Sequence, residues 1–438
     1  MVFAHGLGGA QDLPIPAEYA IAGAGAALTV SFMVLMLAWR KPRFDAAVSG
    51  RPLPRWLALL IDSPALVVGL RLVGLVFFLY ISWAAIFGPD LLVNPTFGVV
   101  YVWLWVGLVP ASLLLGPIWK AISPARTIHL LITRATGSDP HRGLRNLPHW
   151  VGYFPAALGL FAFVWLELVY PESTYLGPIR LWFAIYFAVL IVGAALFGDR
   201  WLERADPFEV YSTLVGHLAV VGRRADGSLV FRSPLANLDG VHPRPGLVAV
   251  IAILLGSTAY DSFSASNAWL RFAQSTHVDM TLVGTLVLLA FCAFVALSFG
   301  LATMATGIDR ALARASLPSR FAHSLVPIIV GYMVAHYVSL LLETGQQTLV
   351  QLSDPMGTGA NLLGTANWQV QYVVSTHPTL LAVIKVLAVV TGHILGVIAA
   401  HDRAIKTLPL RHQLTGQLPL LFVMVSYTAG GLYLLFDS

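Results

Sequence analysis

FAHSLVPIIVGYMVAHYVSLLLETGQQ, residues 321–347, is a stretch long enough and apolar enough to cross a membrane as one helix. Its polar residues recur three or four positions apart, so they share one face of that helix. They are Tyr332, His336, Ser339 and Glu343. Because polar groups are costly in lipid, this face must turn toward protein or water. The stretch therefore predicts both a spanning helix and a candidate functional face.

The composition is that of a multi-pass membrane protein. Of the 438 residues, 57% are hydrophobic and only 11% are charged, whereas about a quarter of an ordinary soluble domain is charged. Apolar runs of roughly the ~20 residues that cross a bilayer recur along the whole chain. We predict ten such helices, at 18–39, 64–88, 98–120, 150–170, 179–197, 246–265, 280–302, 321–344, 379–400 and 416–436. The expected fold is an all-α bundle of transmembrane helices.

Basic residues alternate between the predicted loops and indicate an orientation. Five loops hold 22 of the 26 Lys and Arg residues, and the loops between them contain only Arg271. The five basic loops are 40–63, 120–149, 198–245, 303–320 and 401–415. Since basic residues collect in cytoplasmic loops, we place these five in the cytoplasm and both termini outside. The predicted organisation is an extracytoplasmic head, 1–17, and a single transmembrane domain, 18–438, in the cell membrane.

Several function classes are excluded by the sequence. The formal net charge of +5 does not indicate nucleic-acid binding, because the basic residues follow the membrane orientation rule. Cys292 is the only cysteine, which excludes an internal disulfide and a cysteine-type zinc site. The motifs of serine hydrolases, zinc proteases, P-loop proteins and dinucleotide-binding proteins are absent from the sequence. The expected partners are the lipid bilayer and a small apolar substrate or metal ion.

Polar residues in the outer half of the predicted helices form the candidate site. With a rise of ~1.5 Å per residue, His336 lies ~5 Å and Lys385 ~7 Å outward of the membrane midplane. Asp261, Glu343 and Glu167 lie nearer the outer helix ends. We predict an outward-facing cavity in which His336, Glu343 and Asp261 hold a divalent metal ion with an open position for water. Such a water becomes a nucleophile near neutral pH, and Lys385 would stabilise the developing charge.

Each of these residues also has a purely structural interpretation. The acidic residues would be solvated at the interface, and Lys385 would extend toward it or pair with one of them. His336 would only hydrogen-bond a neighbouring helix. A further arrangement is a transport pathway that continues inward from His336 to His393 and Arg71. Haem bound between the two histidines is disfavoured, because their predicted depths differ by ~10 Å.

Several stretches together resemble one known family. They are AHGLGGAQDLPIP (4–16), NPTFGVVYVWLWVGLVPASLLLGPIW (94–119), LLGSTAYDSFSASNAW (254–269), HSLVPIIVGYMVAHYVSLLLETGQ (323–346), HILGVIAAHDRA (393–404) and RHQLTGQLPLL (411–421). The chain thereby resembles the actinobacterial multi-pass membrane proteins labelled fenitrothion hydrolases. The resemblance spans nearly the whole chain and implies hydrolysis of a phosphorothioate triester with release of a nitrophenol. It transfers no catalytic residue by position.

The head supplies one further candidate metal ligand, His5. Val2-Phe3-Ala4 is typical of the residues that precede a signal-peptide cleavage site, and members of the resembled family carry the A-H-G head just after a signal peptide. Cleavage after Ala4 would make His5 the new N-terminus, although a short tail translocated with the first helix explains the head equally well. The A-H-G start is also similar to the mature N-termini of bacterial copper-resistance proteins, in which a first histidine binds copper.

Three hypotheses for the function follow. The first is a membrane-bound organophosphotriester hydrolase, in which metal-bound or base-activated water attacks phosphorus and an aryloxide leaves. His336, Glu343, Asp261 and Lys385 would be its catalytic residues, with a divalent metal ion as the cofactor and His5 as an additional ligand. The second is a protein for copper-like metal handling or small-solute transport, in which the same residues line a pathway. The third is a scaffold, which the sequence neither favours nor excludes.

Overall fold

The computed structural model of this chain describes residues 9–306, 313–413 and 415–437. The candidate ligand His5 lies outside these residues. In the described chain the regular structure is almost entirely helical, as the apolar runs predict. Three short strands are also present among the described residues: β1 (Arg51–Pro52), β2 (Val221–Arg223) and β3 (Leu229–Phe231).

The N-terminal half contains long apolar helices and shorter helical segments between them. They are α1 (Ala17–Ala38), α2 (Arg55–Ile61), α3 (Pro64–Phe87), α4 (Pro95–Phe97), α5 (Leu108–Leu115), α6 (Ile118–Ile122), α7 (Pro124–Thr136), α8 (Phe154–Leu168), α9 (Leu176–Phe197), α10 (Asp199–Ala205) and α11 (Pro207–Gly216). A π-helical segment, Gly98–Leu104, follows α4 and leads toward α5. Short 3₁₀ turns occur at Ala10–Asp12 and His149–Val151.

The C-terminal half is also helical throughout its described residues. Its helices are α12 (Pro234–Leu238), α13 (Leu247–Ser264), α14 (Asn267–Ser275), α15 (Met280–Met304), α16 (Leu317–Phe321), α17 (Val326–Ser339), α18 (Gly345–Gln351), α19 (Pro378–Thr407) and α20 (Leu418–Asp437). A π-helical turn, Leu340–Thr344, joins α17 to α18. The 3₁₀ turns are Arg314–Ser316, Ala322–Leu325, Leu410–His412 and Thr415–Gln417.

Nine helical segments in the described ranges are long and apolar enough to cross a membrane. A tenth span results if Pro95–Leu104 and Leu108–Leu115, which meet at 47°, count as one. Pro110 explains a break near this bend, because it has no N–H to donate to the preceding turn. The prediction of an all-α, multi-pass membrane protein is therefore confirmed. The third predicted helix, 98–120, is bent and ends early at Gly116, where a φ of +74° favours glycine.

The chain forms two compact units, each described here by itself. The first takes its residues from Met1–Ala46, Leu235–Leu342 and Tyr372–Ser438, and the second from Ala47–Pro234 and Glu343–Gln371. The stretch quoted at the outset therefore divides between the two units, with His336 in the first and Glu343 in the second. The division falls within the π-helical turn that follows α17.

Basic loops that are distant in sequence meet within each unit. In the second unit β3 pairs with both β1 and β2 in one antiparallel sheet, which joins loops 40–63 and 198–245. In the first unit Asp239 forms ion pairs with Arg403 at 3.1 Å and Lys406 at 2.8 Å, which joins loops 198–245 and 401–415. Within each unit, loops that meet in this way lie at the same end of that unit's helices. That these ends face the cytoplasm stays a prediction of the charge count.

Glycines allow α17 and α19 to pack closely in antiparallel directions. A Cβ on Gly392 would lie 2.5 Å from the Pro327 carbonyl oxygen, and one on Gly396 would lie 2.7 Å from that of Ser324. A Cβ on Gly331 would likewise collide with the Ala388 carbonyl. Small residues let helix backbones approach in this way, which is how helices associate in lipid, where the hydrophobic effect does not drive them together. This contact fixes the level of every side chain on α17 relative to α19.

We expect Gly392→Ala to lower the free energy of unfolding by about 1–3 kcal/mol, because the added methyl must displace backbone. The measurement is thermal unfolding of the detergent-purified protein. Gly430→Ala is the matched control, since a Cβ at Gly430 on α20 meets nothing within 4 Å. A variant at Gly392 as stable as the Gly430 control would contradict the close helix contact.

Asp206 caps α11 in the second unit and is fully buried. Its Oδ1 accepts hydrogen bonds from the Phe208 and Glu209 amides and from the Tyr186 hydroxyl, at 3.0–3.3 Å. Its Oδ2 accepts from the Trp119 indole at 2.9 Å. Burial and then the nearby Glu209 carboxylate raise the pKa of Asp206 from 3.8 to about 7, against the opposing effect of these donors. The carboxyl thus anchors the start of α11 and titrates near neutrality.

The raised pKa of Asp206 predicts a pH-dependent stability. Between about pH 4 and 7 the folded protein retains a proton that the unfolded chain has lost, so stability falls as pH rises through this window and this contribution is constant above it. The slope reaches at most about 1.4 kcal/mol per pH unit. Asp206→Asn should remove this slope while losing the bond to Trp119, and Asp139→Asn, at an exposed carboxylate, should retain it. Parallel unfolding curves for wild type and Asp206→Asn across this range would contradict the assignment.

Candidate functional site

A buried hydrogen-bonded network joins the end of α13 to α17 in the first unit. His336 Nε2 lies 2.9 Å from Asp261 Oδ2, and His336 Nδ1 lies 3.0 Å from Ser262 Oγ. Tyr337 donates its hydroxyl proton to Asp261 Oδ2 at 2.6 Å. Tyr332 donates to Ser262 Oγ at 3.1 Å. Five polar side chains thus form one continuous network around His336.

Helical geometry explains why these residues meet. Asp261 and Ser262 are consecutive in the last turn of α13 and reach the two opposite nitrogens of one imidazole. Tyr332 and His336 lie one turn apart on α17, and their rings are parallel with centroids 6.4 Å apart. Tyr337 follows His336 and packs edge-on against its ring at 4.5 Å. The imidazole is therefore held by two hydrogen bonds and by aromatic rings.

The distances to the available acceptors favour one arrangement of the protons, inferred from the hydrogen-bond network. Tyr332 donates to Ser262 Oγ, so the single Ser262 proton remains to be donated, and the nearer of its two acceptors is His336 Nδ1. His336 then carries its own proton on Nε2 and donates it to Asp261. The Asp261 carboxylate accepts from both His336 and Tyr337. This assignment gives every donor an acceptor and leaves Nδ1 as the basic nitrogen that faces a hydroxyl.

The network is enclosed by protein. Ser262 is fully buried, His336 is 2% exposed and Asp261 is 7% exposed. Hydrogen bonds among buried groups in a medium of low dielectric constant are stronger than in water, and leaving one of them unpaired is costly. The polar face predicted from the sequence thus turns toward protein at Tyr332 and His336, as the cost of exposing it to lipid requires.

Lys385 lies at the level of His336 on the neighbouring helix. Gly331 of α17 packs against Ala388 and Gly392 of α19. His336 lies five residues further along α17. Because α19 runs in the opposite direction, the residue of α19 at the same level is five residues before this contact, near Lys385. The Lys385 side chain is only 2% exposed. The acidic group that acts on it electrostatically is Asp12, in the 3₁₀ turn that packs against α19. Lys385 is therefore buried at the level of His336 along the two helices.

The remaining predicted site residues belong to other parts of the chain. Glu343 and Glu167 belong to the second unit, and His5 lies outside the described residues. The prediction that Glu343 shares a face with His336 assumed an uninterrupted α-helix, whereas the π-helical turn that begins at Leu340 changes the number of residues per turn. His393 bonds the Val389 carbonyl of its own helix at 2.8 Å, and it lies about 12 Å along α19 from Lys385.

The metal-binding prediction receives only two of its ligands in the described chain. His336 and Asp261 meet, but no group of three or more His, Cys, Asp or Glu side chains that could hold a metal ion occurs in the described ranges. Both ring nitrogens of His336 instead take part in hydrogen bonds, Nδ1 with Ser262 and Nε2 with Asp261.

Sequence reasoning missed Ser262 and Tyr337 as members of the site. Asp261 was predicted as a site residue, whereas the hydroxyl of Ser262, the next residue in the sequence, was not. Tyr337 lies one position away from the predicted polar face of α17. Neither shows a signal in the sequence, because a serine or tyrosine in a membrane helix is common and its partner lies about 75 positions away.

Comparison with known proteins adds no relative to this picture: no protein-family model, no curated protein and no solved structure matches the chain.

We expect Tyr337→Phe to destabilise the protein by about 1.5–3 kcal/mol, because its hydroxyl donates to a charged carboxylate. Tyr427→Phe is the matched control, since that hydroxyl bonds the neutral Ser298 hydroxyl at 2.6 Å and the Val295 carbonyl at 3.2 Å. Its loss should cost only about 0.5–1.5 kcal/mol. Thermal or denaturant unfolding in detergent measures both. Equal costs for the two variants would argue that Asp261 is not ionised.

Proposed function

We propose that this multi-pass membrane protein is a hydrolase whose reaction is carried by Ser262, His336 and Asp261. The observation that supports the proposal most is the hydrogen-bonded series from the Ser262 hydroxyl through the imidazole to the Asp261 carboxylate, at 3.0 and 2.9 Å. A nucleophile within hydrogen-bond reach of a base, which a third group orients, is the diagnostic arrangement for an activated hydroxyl.

Each residue has a defined role in the proposed reaction. His336 Nδ1 accepts the Ser262 proton as Ser262 Oγ attacks the electrophilic centre. Asp261 stabilises the imidazolium that forms and fixes its orientation, as the carboxylate of a catalytic triad does. The Tyr332 hydroxyl, 3.1 Å from Ser262 Oγ, positions that oxygen. A water activated by the same imidazole then releases the enzyme-bound product, which restores Ser262.

The substrate class we propose is an apolar phosphotriester of the fenitrothion type. The resemblance of the sequence to membrane proteins labelled fenitrothion hydrolases supports this choice. In the first step an O–P bond forms to Ser262 while the bond to the aryloxide breaks, and the nitrophenolate leaves. Lys385, at the level of His336, would stabilise negative charge on the phosphoryl group or leaving group. An apolar triester dissolves in the bilayer and can approach a buried site from the membrane.

Fenitrothion hydrolysis by detergent-purified protein tests the proposal, with nitrophenol release as the measurement. Ser262→Ala, His336→Gln and Asp261→Asn should each lower kcat by at least about 10²-fold, and a double variant should lose little more, because residues that act as a unit are non-additive. Ser257→Ala is the matched control: Ser257 is a buried serine on α13 whose hydroxyl bonds only the Leu254 carbonyl in the described structure.

Activity that survives in Ser262→Ala but not in His336→Gln would assign the nucleophile to water that His336 activates directly. Activity that survives in both variants would contradict the proposal. Turnover that a chelator abolishes would favour a metal-bound water and would require ligands beyond His336 and Asp261. These outcomes use the same preparation, and Ser257→Ala shows whether loss of a buried hydroxyl alone affects folding.

The second candidate function is transport of a small solute or metal ion, and His393 is the observation that favours it. Its Nε2 is buried and has no hydrogen-bond partner in the described part of the chain, as expected of a group that awaits a transported ligand. The separation of about 12 Å along α19 between the levels of His336 and His393 favours a closed site over a continuous pathway. Solute flux into proteoliposomes without nitrophenol release, lost in His393→Gln, would establish transport instead.

A further inference from the structure

A cavity of about 190 Å³ lies within the second unit and is lined mainly by basic and polar residues. Its lining includes Arg71, Arg126, His129, His141 and Asp199. The volume is far more than one water molecule requires. The cavity is separate from the residues proposed for hydrolysis, all of which belong to the first unit.

Helices α3, α7 and α10 and the loop before α8 bring these residues together. α7 is capped by Ser123, whose hydroxyl accepts from the Arg126 amide, and it presents Arg126 and His129 on one buried face three residues apart. Arg71 extends from α3, seven residues after the start of that helix. His141 precedes α8 and bonds Asp199 at the start of α10, with 2.7 Å between Nδ1 and Oδ2.

The cations of the cavity are unevenly neutralised. Arg126 forms a two-pronged pair with buried Glu209 through Nε and Nη2, at 2.5 and 2.6 Å. Asp199, the one carboxylate of the lining, is engaged by His141. Arg71 is different, since its Nε is buried and has no hydrogen-bond partner in the described ranges. The charged groups that act on it are the cations Arg126 and Arg134.

An anion would resolve this imbalance. A buried N–H without an acceptor costs free energy, and guanidinium groups close to one another repel unless a negative charge lies between them. The planar guanidinium donates two parallel bonds to phosphate oxygens, which is why arginine is preferred where phosphate is recognised. His129 and the exposed edge of His141 add donors at the same cavity. The arrangement therefore fits a compact oxyanion of the phosphate type.

The position of the cavity is consistent with an anionic lipid. Arg71 lies about 10 Å along α3 from the start of the helix, which follows predicted cytoplasmic loop 40–63. Arg126 and His129 belong to predicted cytoplasmic loop 120–149. Basic pockets between membrane helices on that side bind the headgroups of anionic lipids. We propose that this cavity is a phosphate-binding site, occupied by the phosphate of an anionic lipid headgroup or by free phosphate, with Arg71 as its central ligand.

Thermal unfolding of the full-length protein in mixed micelles tests the proposal. Two series with different additives distinguish free phosphate from a lipid headgroup as the source of the bound phosphate. One series contains inorganic phosphate against chloride at equal ionic strength. The other contains phosphatidylglycerol against phosphatidylcholine. A ligand that binds only the folded protein raises the unfolding midpoint with concentration. Stabilisation by phosphate alone identifies a soluble anion as a ligand, and stabilisation confined to phosphatidylglycerol identifies the lipid headgroup.

Arg71→Gln should weaken the stabilising ligand at least about tenfold, because a hydrogen bond to a charged group is lost. Arg71→Lys retains the positive charge but not the two parallel N–H donors of the guanidinium. Its affinity for the ligand should therefore lie between those of wild type and Arg71→Gln. Arg55→Gln is the matched control, since it removes one exposed cation from the same unit and the same predicted face. It should bind as wild type does.

Absence of stabilisation by both additives would overturn the proposal. Equal stabilisation of wild type and Arg71→Gln would overturn it too, because the effect would then arise elsewhere on the basic surface. Native mass spectrometry of the purified protein supplies an independent reading: an anionic phospholipid should co-purify with wild type and Arg55→Gln and be depleted in Arg71→Gln. None of these measurements depends on nitrophenol release.

Discussion

The hydrogen bond between His336 and Asp261 is the interaction on which the proposed site depends. In the interior of a membrane protein no bulk water is present to satisfy an imidazole or a carboxylate, so each must find its partner within the protein. The two residues are 75 positions apart in sequence and meet at 2.9 Å. Ser262 contacts the second ring nitrogen of His336, and Tyr337 donates a second hydrogen bond to Asp261 Oδ2. An imidazole held in one orientation is the consequence.

The same constraint is met differently in the second unit. There Arg126 and Glu209 form a two-pronged buried pair, and Asp206 collects four donors at the start of α11. Buried pairs of this kind add little net stability compared with apolar packing, but removing one partner is severely destabilising. Arg71 is the contrasting case, because its buried Nε remains without an acceptor in the described structure. The buried ion pair and the capped carboxylate are structural, whereas an unpaired guanidinium nitrogen beside a basic cavity is the feature from which we infer a ligand.

Close backbone packing supports the arrangement of the first unit. Gly331, Gly392 and Gly396 let α17 and α19 approach until carbonyl oxygens occupy the space of the missing side chains. Helices at this separation cannot slide relative to one another without a collision, which holds Lys385 at the level of His336. The π-helical turn after Ser339 then changes the direction in which the following side chains point. The sequence grouped both Glu343 and Asp261 with His336, and in the structure Asp261 lies 2.9 Å from the imidazole.

The sequence by itself determined the class of this protein and much of its layout. Apolar runs of membrane-crossing length and the segregation of Lys and Arg are properties of local composition, so they required no knowledge of the tertiary structure. The sequence also identified His336, Asp261 and Lys385, because ionisable residues are rare in such runs and therefore conspicuous. Which of them meet was decided only by the tertiary structure. The partners of His336 come from α13, whose distance and rotation about its axis no pattern within α17 encodes, and Ser262 and Tyr337 carry no charge that would distinguish them from ordinary helix residues.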